Sequence, residues 1–173
     1  MPPEVEGLFR EHHAGLVRYL TRRLGDRDWA EEIAQETFLR ALRTPPRQNG
    51  RSWLFTVATN LVRDQARQLA TRRRHLELLA AEVREAEAAQ PTMEDRILRA
   101  QEARLARRAL DGLAERDREA LLLKAEGLDY NEIAATLGLS VGSVGTTLAR
   151  ARRRLADAYA ALCRPPENRD VAS

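Results

Sequence analysis

The chain has 173 residues with 29 Lys and Arg against 26 Asp and Glu, a formal charge of +3. It is rich in Ala, Leu, Arg and Glu and poor in Gly and aromatics, which favours an all-helical protein over a strand-rich one. The length allows one medium domain or two small ones. One cysteine, Cys163, excludes an intramolecular disulfide. The charge balance alone says little about nucleic acid, so the distribution has to carry that case.

The N-terminus, MPPEVEG, has neither the basic start nor the apolar core of a signal peptide. No run approaches the ~20 apolar residues that span a bilayer. A soluble chain in a reducing, cytoplasmic setting is the expectation, with no membrane contact of its own. Residues 5–24 carry Leu8, Leu16, Tyr19 and Leu20 at helical spacing, and Gly25 ends that helix. Asp28 has Glu31 three residues on, the spacing of a capping box, and predicts a second helix to about residue 43. Ile33 and Ala34 would face inward there. Glu32, Gln35, Glu36 and Leu39 form a mixed polar and apolar outer strip. The segment Thr44-Pro-Pro-Arg-Gln-Asn-Gly50 opposes helix and strand alike.

A third helix is predicted over 52–70, with Leu54, Val57, Ala58 and Leu61 on one face. Thr56, Asn60, Arg63 and Arg67 recur on another. From Arg51 to Arg74 there are six arginines and one acid, Asp64. Such a stripe suits phosphate neutralisation, with polar groups between to reach bases. Trp53 fits better as a core anchor than as a stacking platform. Arg72, Arg73 and Arg74 read as a duplex-backbone contact or as a solvated helix end favoured by the dipole. Residues 75–95 are alanine-rich and acidic with no convincing apolar face, so they read as a linker.

Helical periodicity resumes with Ile97, Leu98, Leu105, Ala109 and Leu110, then 120–123. Residues 130–155, YNEIAATLGLSVGSVGTTLARARRRL, have the pattern of a helix-turn-helix. Asp129 with Glu132 has capping-box spacing. Ile133, Ala134 and Leu137 supply an apolar face, Ala134 being small where two helices cross. Gly138 suits a turn at positive φ, and Ser140 can cap a second helix that buries Val144 and Leu148. Arg150, Arg152, Arg153 and Arg154 follow without an acid among them. Gly142 and Gly145 each cost that helix about 1 kcal/mol relative to Ala. The tail, 163–173, is expected to be disordered.

Residues 28–42, DWAEEIAQETFLRAL, together with 51–67, RSWLFTVATNLVRDQAR, resemble region 2 of the sigma-70 family of bacterial RNA polymerase sigma factors. LAERDREALLLKAEGLDYNEIAATLGLS, 113–140, resembles region 4. Two such regions with a short linker are similar to the extracytoplasmic-function (ECF) subfamily. The resemblance implies an all-α chain of two small helical domains. These are a region 2-type bundle over 5–74 and a region 4-type helix-turn-helix domain over 96–162, joined by the acidic linker 75–95.

It implies a transcription initiation factor that binds core RNA polymerase at the largest-subunit clamp helices and the flap region, recognises promoter DNA and helps melt it. Glu32, Gln35, Glu36 and Leu39 are then the polymerase contacts. Asn49, Arg51, Thr56, Asn60, Arg63 and Arg67 contact the −10 element. The loop 44–50 shapes a pocket for an extruded base, whose unstacking costs a few kcal/mol. Ser140, Ser143, Thr146, Thr147, Arg150 and Arg153 contact the −35 element. Many relatives carry Lys or Arg where this chain has Gly145 and Thr147, so −35 readout is either altered or weak, and altered readout is favoured. The acidic linker is either a nucleic-acid mimic threading the polymerase or a plain tether. An anti-sigma factor is a further implied partner.

Two other readings are an ordinary helix-turn-helix regulator and a nucleic-acid enzyme. A regulator would need a ligand or receiver domain where the arginine-striped bundle stands. An enzyme would need a carboxylate cluster, a Ser/His/Asp set or a phosphate-binding glycine loop, none of which the sequence offers. No catalytic residue or cofactor is expected. His12, His13 and His75 lack partners at metal-ligand spacing, so no metal is expected either.

Overall fold

The computed structural model describes the backbone of residues 3–73 and 93–164 and the side chains of 3–67 and 98–164. The described residues form seven helices and no strand: α1 Pro3–Leu24, α2 Arg27–Arg43, α3 Gly50–Arg73, α4 Met93–Asp111, α5 Glu115–Ala125, α6 Tyr130–Leu137 and α7 Val141–Cys163. The expected linker lies largely outside these residues, as do the side chains of Arg72, Arg73 and Arg74 and the tail beyond 164. Met93, placed by sequence in the linker, opens α4. Cys163, placed in the tail, closes α7.

Pro3 suits the first position of α1, where a missing N–H costs nothing. Glu4 and Glu6 in the first turn and Arg22 and Arg23 in the last complement the helix dipole. Gly25, at φ 78°, then reverses the chain. Asp26 follows in extended conformation and caps α2, its carboxylate accepting from the Trp29 N–H at 3.0 Å. This corrects the expected start at Asp28. The turn at Gly25 delivers Asp26 to the cap, and Asp28 falls within the first turn of the helix, where an acid still suits the dipole.

α1, α2 and α3 bury Leu16, Tyr19, Leu20, Ile33, Leu54, Phe55 and Ala58 between them. The Tyr19 and Phe55 rings lie 5.4 Å apart and tilted. The Tyr19 hydroxyl, fully buried, meets the Thr59 hydroxyl at 2.9 Å, so neither is left without a partner. Gly50 begins α3 because α1 runs directly over it. A Cβ there would stand 2.4 Å from Leu8 Cδ2 and 3.0 Å from Cδ1.

In the second half, the Asp129 carboxylate accepts from the Glu132 N–H at 2.8 Å and the Glu132 carboxylate from the Asp129 N–H at 2.9 Å. The capping box is complete, and Gly138 ends α6 at φ 65°. Ile133, Ala134, Leu137, Val144 and Leu148 are buried where α6 crosses α7. The Ser140 side chain makes no capping bond; its hydroxyl lies 2.5 Å from that of Ser143. The halves are not separate: α1 packs on α5 and α3 on α6, and their buried apolar residues form one cluster.

Overpacking at Gly50 is testable. Gly50→Val is expected to lower the melting temperature by the few degrees that about 1–3 kcal/mol represents, and an unchanged melt would show that Leu8 gives way freely.

Candidate nucleic-acid and partner interfaces

On α2 the inward residues are Ile33, Ala34, Thr37 and Phe38. Glu32, Gln35 and Leu39 are exposed and Glu36 is half-buried, so the strip expected from sequence shares one outer face. Glu36 accepts from Arg40 Nε at 2.9 Å. Leu39 is 47% exposed, and Leu42 lies exposed one turn on. Phe9 of α1, also exposed, stacks edge-on to Phe38 with centroids 5.0 Å apart and lies 4.4 Å from the His13 ring. This aromatic addition was missed from sequence. Its only signal was an aromatic residue off the apolar face of α1.

The −10 candidates divide into two groups. Asn49 sits in the loop at φ 47°, and its carbonyl accepts from the Trp53 N–H at 3.0 Å. Asn49, Asn60 and Arg67 are exposed, and Arg67 lies 3.6 Å from Asp64. Arg51, Thr56 and Arg63 instead face the second half of the chain. Thr56 Oγ1 donates to the Ser52 carbonyl at 2.7 Å and meets Thr136 Oγ1 of α6 at 3.3 Å. Arg51 donates to the Glu126 carbonyl and lies 3.9 Å from the Glu132 carboxylate. Arg63 Nη2 lies 2.5 Å from Glu119 Oε2.

These contacts belong to a seam of arginines from α1 and α3 against acids of α5 and its C-terminal turn. Glu119 is fully buried and is faced by Arg63 and by the buried Arg23. Arg23 also reaches Glu115 at 3.0 Å. Glu126, its side chain 4% exposed, takes Arg18 at 3.0 Å and Arg22 at 3.2 Å. Buried carboxylates of this kind require cations at hand, because an unpaired buried charge is strongly destabilising. No local pattern signals these pairs, since each joins residues 56 to 108 positions apart.

On α7, Ser140, Ser143 and Thr146 are exposed. Thr147 is buried at 6% exposure, so the base contact expected for it does not fit the geometry. Residue 147 falls on the stripe shared with Val144, Leu148 and Ala151, which packs against the domain. Arg150 and Arg154 clasp the buried Asp117 of α5 at 2.6 and 2.8 Å. Arg150 therefore has a structural partner that its expected role at the −35 element did not anticipate. Arg153 is exposed. Hydrogen bonds from Arg150, and then from Arg154, hold the Asp117 carboxyl below its ordinary value of 3.8 against the opposing effect of burial.

Among the described residues no three His, Cys, Asp or Glu groups are placed to hold a metal ion. No described helix is long and apolar enough to cross a membrane.

Residues 8–74 match the family described as Sigma-70 region 2, and residues 103–155 match Sigma-70, region 4. The ferric citrate uptake sigma factor FecI of Escherichia coli is 37% identical over 150 residues, which cover 84% of this chain and 85% of that protein. The ECF RNA polymerase sigma factor SigE of Mycolicibacterium smegmatis is 33% identical over 90% of this chain, which spans 61% of that protein. Among solved structures, CnrH in complex with the cytosolic domain of CnrY is similar with a TM-score of 0.63 and 26% identity, over 91% of this chain and 88% of that one. The sigma factor RpoE, in complex with the anti-sigma factor NepR from Bartonella quintana, shares the fold with a TM-score of 0.67 at 22% identity, over 92% of this chain and 98% of that one.

The Asp117 clasp has a pH signature. A folded carboxyl held below its unfolded value contributes stability that is full above 3.8 and is lost as pH falls through the lower folded value. Asp117→Asn is expected to lower the urea midpoint at pH 7 and to flatten the fall of that midpoint on acidification. Parallel pH profiles for the two proteins would count against the clasp.

Proposed function

The chain belongs to the sigma-70 family of RNA polymerase sigma factors, in its ECF group, and from that premise we propose how its surfaces divide the work. It is a promoter-directing transcription initiation factor. Core RNA polymerase is its partner on the α2 face, where Glu32, Gln35 and Glu36 offer acceptors to a basic helical partner beside the apolar Leu39. Phe9 and Leu42 extend the apolar part of that face. The exposed Asn49, Asn60 and Arg67 meet the −10 element, and Arg51, Thr56 and Arg63 join them once the two halves part. Ser140, Ser143, Thr146 and Arg153 meet the −35 element, with the flap region of polymerase beside that domain.

One observation carries this reading. A bundle with an acceptor-rich, partly apolar outer face and an arginine-striped helix is joined in one chain to a helix-turn-helix. A regulator acting alone has no use for the first, and an enzyme would need reacting groups that the candidate residues do not include. The chain works without a cofactor, in the cytoplasm with the polymerase. An anti-sigma factor is a natural partner, given that the structurally similar RpoE was co-crystallised with the anti-sigma factor NepR and that CnrH is seen in complex with the cytosolic domain of CnrY.

The seam gives the reading a mechanical consequence. Arg63 is turned onto Glu119 where the two halves meet, so engaging the −10 element once they part exchanges a protein carboxylate for a phosphate. In vitro transcription with purified core polymerase on a promoter library tests the function. Promoter-specific transcripts that appear only with this chain are expected. Duplex binding without polymerase and no effect on start sites would overturn it. Arg63→Ala is expected to weaken the polymerase–promoter complex about tenfold and to reduce the salt slope by about 1, as loss of one phosphate contact does; an unchanged slope would remove Arg63 from the DNA face.

A further inference from the structure

The two glycines of α7 are not explained by packing. A Cβ at Gly142 would meet nothing within 4 Å, and one at Gly145 would stand 3.7 Å from Tyr130 Cε2, an ordinary contact. Neither carries a positive φ that L residues avoid. Gly145 nonetheless weakens the helix by about 1 kcal/mol relative to Ala, and Gly142, in the first turn, by less, with no internal contact to offset either. Something outside the fold has to account for them.

The immediate surroundings indicate what. Tyr130, the first residue of α6, is 42% exposed, and its ring edge flanks Gly145. Val141, the first residue of α7, is 47% exposed. Two large apolar side chains therefore stand uncovered beside two positions with no side chain at all. Lys124 Nζ lies 5.4 Å from the Tyr130 ring centroid. The first turn of α7 contains no acid, and the exposed Arg152 and Arg153 follow on the same helix. Of the nearby acids, Asp129 at the N-cap of α6 and Glu132 in its first turn each accept from the other's backbone N–H in the capping box. The charge around the patch thus suits a polyanion, while the patch itself is apolar.

We propose that Tyr130 and Val141, laid bare by Gly142 and Gly145, form an apolar reading edge that takes thymine 5-methyl groups in the major groove of duplex DNA. The thymine methyl is the apolar feature that the major groove displays. A long side chain at residue 145 would cover the Tyr130 ring edge and present donors that suit guanine instead. The glycines therefore shift the choice of base from a donor on the recognition helix to a ring supplied by the helix before it. This inference rests on the reading that the helix-turn-helix meets the −35 element, and it specifies which chemistry does the reading.

The test uses the full chain with core polymerase and a promoter recovered from the library. Each −35 thymine is replaced in turn by deoxyuridine, which removes only the methyl group. At one or two positions the wild-type complex is expected to weaken about fourfold, as for one buried methyl. Tyr130→Ala is expected to bind the thymine and uracil promoters equally, and Tyr130→Phe to keep the discrimination. Gly145→Arg, put through the same selection, is expected to recover guanine where the wild type recovers thymine. Wild-type indifference to deoxyuridine at every position would overturn the inference, as would discrimination that survives in Tyr130→Ala. Failure to obtain any promoter-specific transcript would overturn the underlying reading, whereas transcripts with silent deoxyuridine substitutions would overturn this inference alone.

Discussion

A carboxylate with no exposed surface must find cations, and Glu119 finds both of its own on the other half of the chain, in Arg23 and Arg63. The rest of the closed arrangement follows from that contact. It fixes α5 against α1, which brings Glu126 under Arg18 and Arg22. It also brings the turn after α5 to Arg51 and α6 onto α3 at Thr56 and Thr136. The apolar cluster is continuous across the seam. Two domains that could each bury a small core therefore share a larger one. The polar part of their interface is built from arginines of α1 and of α3, the latter being the helix proposed to meet the −10 element.

The helix-turn-helix shows a second division between holding and binding. Its arginines look alike in sequence, but Arg150 and Arg154 are turned onto Asp117 while Arg152 and Arg153 face outward. The helical period separates them: positions four apart share a side, and 150 and 154 share the side that faces α5. A basic run thus contributes both to the interior and to the exterior of the domain. Counting its charges overstates the electrostatic surface available to a ligand.

Much of this was legible in the sequence, and what was legible was local. The Asp129–Glu132 box, the left-handed Gly138, the buried Val144 and Leu148 and the outer strip of α2 all depend on residues three or four apart. The cap of α2 was misplaced by two residues because Asp26 and Asp28 are chemically equal candidates, and only the turn at Gly25 chooses between them. Thr147 reads as a polar contact by residue type, yet its place beside Val144, Leu148 and Ala151 leaves it buried. The seam was not legible at all. Arg63 and Glu119 are each ordinary surface residues by type, and only the tertiary fold brings them together.

α6 has only eight residues, yet it faces three ways. Thr136 touches α3, Glu132 closes its own cap while lying near Arg51, and Tyr130 flanks α7. Few substitutions there could alter one of these relations without disturbing another. The opening turn of α7 is different, because a side chain added at Gly142 would meet nothing and one at Gly145 would meet only the tyrosine ring. α6 is thus bound by several duties at once, whereas the two glycine positions are open ground where a side chain can be added at no cost to the fold.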